Sequence, residues 1–256
     1  MRLLLAAALL IATAAATAPY KEPPPGSPPG IVPAVGMMDR PAAARALDAS
    51  RKPVEVLKFL GLRRGDRVVD FMAGGGYYSE IIGNAIGAQG RVVAVETPVF
   101  ADAAARVRWA ALTKRVPTVS FVEMMPGDYA MPANSIDFTL MHLVYHDLYW
   151  SSVEYKFPRI DPAKVLRAVF AATKPGGIVG VVDHVGAGTD TRALVDKSHR
   201  IDPAVVKADF AAAGFVLDAE SDLLRMPSDD HTRNAYDDPA IKGRTDRVVY
   251  RFRKPA

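Results

Sequence analysis

The chain of 256 residues contains no cysteine. That absence excludes disulfides, thiolate metal sites, a lipid-modified N-terminal cysteine and a cysteine nucleophile. Runs of like charge are also missing. The net charge is +4, with Lys and Arg scattered rather than interleaved with aromatics, so no nucleic-acid partner is expected. The apolar, charge-free run from Leu3 to Ala18 is Ala-rich and falls short of the roughly 20 strongly apolar residues of a membrane span. No internal repeat is visible. What remains, half apolar and 23% charged, suits a soluble globular chain with one sizeable core.

Residues 1–18, "MRLLLAAALLIATAAATA", place Arg2 before the apolar run and end in small residues. This is the pattern of a secretory signal peptide, with Ala14 and Ala16 offering a cleavage site before Thr17; an uncleaved anchor is the other reading. Export makes the expected location periplasmic or secreted, without stable membrane association after cleavage. Retention in the cytoplasm is the alternative. Residues 19–36 hold seven prolines and read as an extended tether. The domain is expected over 37–256.

From Met37 onward strands and helices alternate. "RVVDFM" (67–72), "RVVAVE" (91–96), "TVSFVE" (118–123), "SIDFTLMHLVY" (135–145) and "IVGVVD" (178–183) read as strands. Helices are expected at 77–87, at 100–113, after the Asp161-Pro162 and Asp202-Pro203 caps, and across 40–62, where they would lid the sheet. The closing strands, 215–221 and 246–253, follow each other without a helix and should pair antiparallel at one edge. The expected fold is α/β: a doubly wound, seven-stranded, mostly parallel, Rossmann-like sheet.

The stretch "VVDFMAGGGYYSE" (68–80) puts Asp70 and three glycines between a strand and a helix. Beyond the C-terminal end of a parallel strand, such a loop lets a ligand approach bare backbone. The dinucleotide fingerprint G-x-G-x-x-G would run Gly74, Gly76, Ser79, so its last glycine is missing. A carboxylate at Asp70 repels a pyrophosphate but suits a cationic amino group. S-adenosylmethionine carries an amino group, a sulfonium and a ribose, and no phosphate. Glu96 ends the second strand, where it can accept the ribose hydroxyls, and Asp128 follows the third, where it can accept the adenine amino group.

This ordered set, with "KPGG" and the terminal strand pair, resembles the class I S-adenosylmethionine-dependent methyltransferases. Closer likeness is to a bacterial group of predicted methyltransferases, at "RPAAARALDASRKPVEVLKFLG", "AGGGYYSEIIGNAIGAQG", "LVYHD", "KPGGIVGVVDH", "HRID" and "TDRVVYRF". The resemblance spans roughly residues 37–254 and implies the seven-stranded methyltransferase fold, S-adenosylmethionine as cofactor and a small-molecule methyl acceptor. It departs from the general motif at Met72, where that motif has glycine. Asp70, Ala73, Gly74, Gly75, Gly76, Tyr78, Glu96, Asp128 and His142 are the expected cofactor-binding residues.

All five histidines, His142, His146, His184, His199 and His231, fall at or after strands four to six, on the rim that would hold the cofactor. His146 is the expected base for an acceptor that must lose a proton, supported by Asp147 or His184. A divalent metal on His146, Asp147, Asp183 and His184 is a second reading, but no metal-binding spacing supports it and none is expected. An exported ligand-binding protein of the same fold, without transfer chemistry, and an NAD-type oxidoreductase are the rival functions.

Overall fold

Val68 and Val69, adjacent on the first strand, point into two different cores. That follows from the strand period of two in a sheet covered on both faces, and it explains why the strands read as unbroken apolar runs. The computed structural model describes residues 22–256; the expected signal peptide and the first residues of the expected tether lie outside them.

The strands are β1 (Arg67–Phe71), β2 (Arg91–Glu96), β3 (Val119–Glu123), β4 (Ile136–His142), β5 (Thr173–His184), β6 (Val216–Ser221) and β7 (Arg247–Arg253). They form a seven-stranded sheet in the order β3-β2-β1-β4-β5-β7-β6. Pairing is parallel from β3 through β5, and β7 runs antiparallel between β5 and β6. The expected architecture is therefore found. The "KPGG" segment lies within β5 rather than ahead of it, at a register irregularity opposite Ile136 and Phe138. Gly176 there has φ +76°, which lets the strand kink and continue.

The helices are α1 (Ile31–Val35), α2 (Ala42–Arg45), α3 (Asp48–Arg51), α4 (Pro53–Leu60), α5 (Tyr77–Ala85), α6 (Ala103–Arg115), α7 (Pro162–Ala172), α8 (Thr191–Ser198) and α9 (Pro203–Ala212). Asp161 and Asp202 cap α7 and α9 by accepting from the Ala163 and Ala204 N–H groups at 3.0 and 2.8 Å. Helix α8, capped by Asp190, falls where no helix is expected from the sequence. Its segment "TRALVDKS" buries only Val195 and Ser198, too little for a periodic signal. Among the described residues, no helix is long and apolar enough to cross a membrane.

The Pro-rich segment is not a free tether over its described part. Gly26 and Gly30 donate to the Arg64 and Ala85 carbonyls, Glu22 pairs with Arg64, and Ile31 and Ala34 are buried in the core with α4 and α5 residues. Composition conceals this because prolines without periodicity still carry Ile31 to an apolar groove. Replacing Ile31 with Ala should cost about 2–4 kcal/mol in urea unfolding; a loss under about 0.5 kcal/mol would mean that the segment is only lightly attached.

Candidate functional site

Strand order reverses between β1 and β4, and the C-terminal ends of these strands open into a cleft of about 700 Å³. Crevices at such a reversal are where open α/β sheets bind ligands. The volume lies within the range of small-molecule and cofactor sites. The loop after β1 supplies Met72, Ala73, Gly74 and Gly75 to its wall, β2 supplies Glu96, the end of β4 supplies His142, and the segment after it supplies Leu143 and Asp147.

The three glycines divide into two roles. Gly74 and Gly75 are exposed, and a Cβ at either would meet nothing within 4 Å. Gly76 is buried with φ +80°, and a Cβ there would stand 2.6 Å from Leu112 Cδ1 and 3.0 Å from Trp109 Cη2. It lets α5 start hard against α6, whereas Gly74 and Gly75 leave bare backbone facing the cleft. Met72 adopts φ +52°, so a methionine is held in the left-handed region at the position where the general methyltransferase motif has glycine.

Two buried carboxylates flank this loop. Asp70 accepts from the Ser79 hydroxyl at 2.6 Å. Glu96 accepts from the Gly74 N–H and from the Thr97 N–H at 2.7 Å, which ties the loop to β2. Burial pushes the Asp70 carboxyl up to about 6 and the Glu96 carboxyl up to about 7, against the lowering effect of those donors. On the far side, α2 and α3 cover the cleft through Ala44, Leu47 and Arg51. They are pinned by the buried Arg40, which grips Asp48 with two bonds of 2.9 Å. Asp48 also accepts from the Tyr77 hydroxyl at 2.7 Å, so the lid is fastened to the first turn of α5.

The other expected cofactor residues separate. Ala73 lines the cleft, with its N–H bonded to the Val95 carbonyl. Tyr78 also lines it and packs against His142 with ring centroids 4.6 Å apart. His142 faces the cleft, and its buried Nε2 has no hydrogen-bond partner; burial holds its pKa well below the usual value, so the ring is neutral. Asp128 stands apart from the cleft lining. It is exposed, at the end of a 3-10 turn over Pro126–Asp128, and does not line the cleft. Position after β3 alone did not reveal that this short turn directs it to solvent.

The histidine cluster is real but arranged differently from the expectation. His146 is fully buried. Asp183 holds it twice, accepting from its backbone N–H at 2.8 Å and pairing with Nδ1 at 2.7 Å. Its Nε2 stands 3.3 Å from Asp147, which lines the cleft. Burial alone lowers the His146 pKa, but Asp183 and Asp147 outweigh it and push the imidazole up to about 9. His146 itself does not line the cleft, whereas Asp147 beside it does. Asp183, rather than Asp147 or His184, orients it. His184 turns its Nδ1 to Thr245 at 2.7 Å. His231 pairs with Asp246 at 3.0 Å and belongs to the scaffold of the long loop.

Sequence reasoning missed Tyr236 and understated His199. Tyr236 comes from that long loop, donates to the Leu143 carbonyl at 3.0 Å and lines the cleft; no local signal marks it. His199 ends α8 in the left-handed conformation, which sets its Nδ1 3.8 Å from Asp147. Asp190 marks the start of that helix in the sequence but not its end.

No family model matches the chain, and no curated protein matches its sequence. Solved structures do match. A SAM-dependent methyltransferase from Aquifex aeolicus superimposes with a TM-score of 0.57 at 19% identity, covering 82% of this chain and 97% of that one. An S-adenosylmethionine-dependent methyltransferase from Mesorhizobium loti gives 0.56 at 15%, covering 81% and 100%. The [4+2]-cyclase SpnF gives 0.56 at 16%, covering 81% of each chain. The chain thus has the class I S-adenosylmethionine-dependent methyltransferase fold. Its likeness to a cyclase shows that this fold alone does not fix the reaction.

Two predictions follow from the loop and its acids. Gly76→Ala should destabilise by about 1–3 kcal/mol through overpacking and backbone strain, while Gly75→Ala should stay within about 0.5 kcal/mol. Equal losses in chemical denaturation would contradict the division of roles. Asp70 and Glu96 hold a proton more tightly folded than unfolded. Their contribution to stability is therefore complete below their unfolded values of 3.8 and 4.5 and is lost as pH rises through about 6 and about 7. Between pH 5 and pH 8 the native chain should lose more stability than Glu96→Gln; identical losses would mean that Glu96 is already ionised at pH 5.

Proposed function

We propose that the chain binds S-adenosylmethionine in this cleft and transfers its methyl group to a small molecule. The observation carrying the reading is the pairing of open backbone at Gly74 and Gly75 with two buried carboxylates, Asp70 and Glu96, at the strand-order reversal. These residues fit that cofactor. Glu96 retains lone pairs for the ribose hydroxyls, the Asp70 carboxylate suits a cationic amino group, and neither is suited to face a pyrophosphate. When bound, the cofactor supplies an electrophilic methyl on a sulfonium.

The chain's part is then mainly positioning. The glycine loop sets the depth of the ligand against β1. Tyr78 and His142, the expected cofactor-binding side chains, line the cleft together with Tyr236 and complete its wall. The lid of α2 and α3, fastened through Arg40, Asp48 and Tyr77, closes one side of the cleft. A leader over residues 1–18 would place this chemistry in the periplasm or outside the cell, away from the cytosol where the cofactor is made.

The test is calorimetric and thermal-shift titration of the whole chain with S-adenosylmethionine, S-adenosylhomocysteine and NAD. The first two should stabilise by about 2.7 kcal/mol at 100 times their dissociation constants. Glu96→Ala should weaken both by about 1–3 kcal/mol, the cost of hydroxyls left unpaired. Binding of NAD alone would overturn the reading in favour of an oxidoreductase. Binding of both methionine-derived ligands without turnover on any acceptor would support a ligand-binding protein instead.

A further inference from the structure

Three histidine nitrogens close together have no hydrogen-bond partner among the described residues: His146 Nε2, His184 Nε2 and His199 Nδ1. All three rings pack around Tyr236, with centroids 5.9, 5.4 and 5.2 Å from it. A buried imidazole nitrogen without a partner is costly, and several in one place call for a ligand. Hydrophobic packing does not account for them, because each is a polar atom shut from water.

We propose that His146 Nε2, the Asp147 carboxylate and His199 Nδ1 form a divalent transition-metal site on the wall of the cleft. Their ligand atoms all lie within 4.8 Å of one another. Asp147 Oδ1 stands 3.3 Å from His146 Nε2 and 3.8 Å from His199 Nδ1. Donors about 2.1 Å from a tetrahedral ion are separated by about 3.4 Å, so two of the three separations are already near the required value. Two imidazoles and one carboxylate make a borderline donor set, suited to zinc and its neighbours and unsuited to magnesium or calcium, which take oxygen ligands.

The surroundings match what a metal-ligating histidine needs. Its second ring nitrogen is usually fixed by a carboxylate, and Asp183 fixes His146 Nδ1 at 2.7 Å while also accepting the His146 and His184 N–H groups. That bonding leaves Nε2 as the free donor and prevents the ring from turning. Asp183 is therefore a positioning residue. The left-handed end of α8 brings in His199, and Asp147 joins the site to the cleft. The set differs from any that adjacent sequence suggests, since neither Asp183 nor His184 is a ligand. An ion here would offer an acceptor's hydroxyl or carboxylate oxygen a Lewis-acidic seat, but the site stands or falls independently of methyl transfer.

Titrating the untagged, metal-stripped full chain with Co²⁺ tests this directly. One equivalent should bind with the visible d–d bands of a low-coordinate nitrogen–oxygen site, be displaced by Zn²⁺, and persist in excess Mg²⁺. His199→Ala and Asp147→Asn should abolish the bands while His231→Ala retains them. Asp183→Asn should keep the spectrum but bind about 10–100-fold more weakly. Absence of the bands in the native chain, their survival in His199→Ala, or competition by Mg²⁺ would overturn the proposal. Because the readout needs no cofactor, its failure is separable from failure of S-adenosylmethionine binding.

Discussion

A parallel sheet whose strand order turns back on itself must leave a gap where the connections part to opposite sides. Here β1 leads outward to β2 and β3, and the chain then returns to lay β4 on the other flank. The loops after β1 and β4 cannot cover the gap between them, and every candidate functional residue is defined by its distance from it. The helices serve this geometry: α5 and α6 support the glycine loop from below, and α2 and α3 roof it. Even the Pro-rich segment contributes, by packing Ile31 beside α4 and α5 and so buttressing the helix that the loop starts.

Charge burial follows from the same constraint. Carboxylates at the ends of β1, β2 and β5 are drawn into the interior by their strands. Asp70 and Glu96 are compensated by local donors alone, Asp70 by Ser79 and Glu96 by two loop N–H groups, whereas Asp183 has the His146 imidazole besides the His184 N–H. The degree of compensation sets their different characters. Asp70 and Glu96 are undercompensated and hold protons to unusually high pH. Asp183, facing an imidazole that carries positive charge, is held below the usual carboxylate range. A small molecule with amino and hydroxyl groups would complete the first two, and a cation near His146 would use the third.

The fold was legible because its signals are local. β-Branched runs of five or six residues, Asp-Pro caps and glycine stops repeat at intervals that only α/β alternation explains. Asp70, the glycine loop and Glu96 were legible for the same reason, each lying at a strand end where the topology leaves little choice of direction. The exposure of Asp128 was not, because a three-residue turn sets its direction. The histidine pairs His146-Asp147 and Asp183-His184 were visible as sequence neighbours. Their roles were not, since adjacent residues on a strand end point to different sides. Asp183 reaches back to His146 while His184 turns away to Thr245.

By itself, then, the sequence determined an α/β domain with a glycine loop and flanking acids at the switch point, because strand period, caps and loop glycines are properties of short segments. Only the tertiary structure decided which glycine packs and which faces the cleft, that His146 is buried rather than free, and that His199 and Tyr236 join it. Those outcomes depend on where segments separated by tens of residues come to rest against one another. The burial, pKa and unpaired atoms that follow are properties of that contact, not of any stretch of chain.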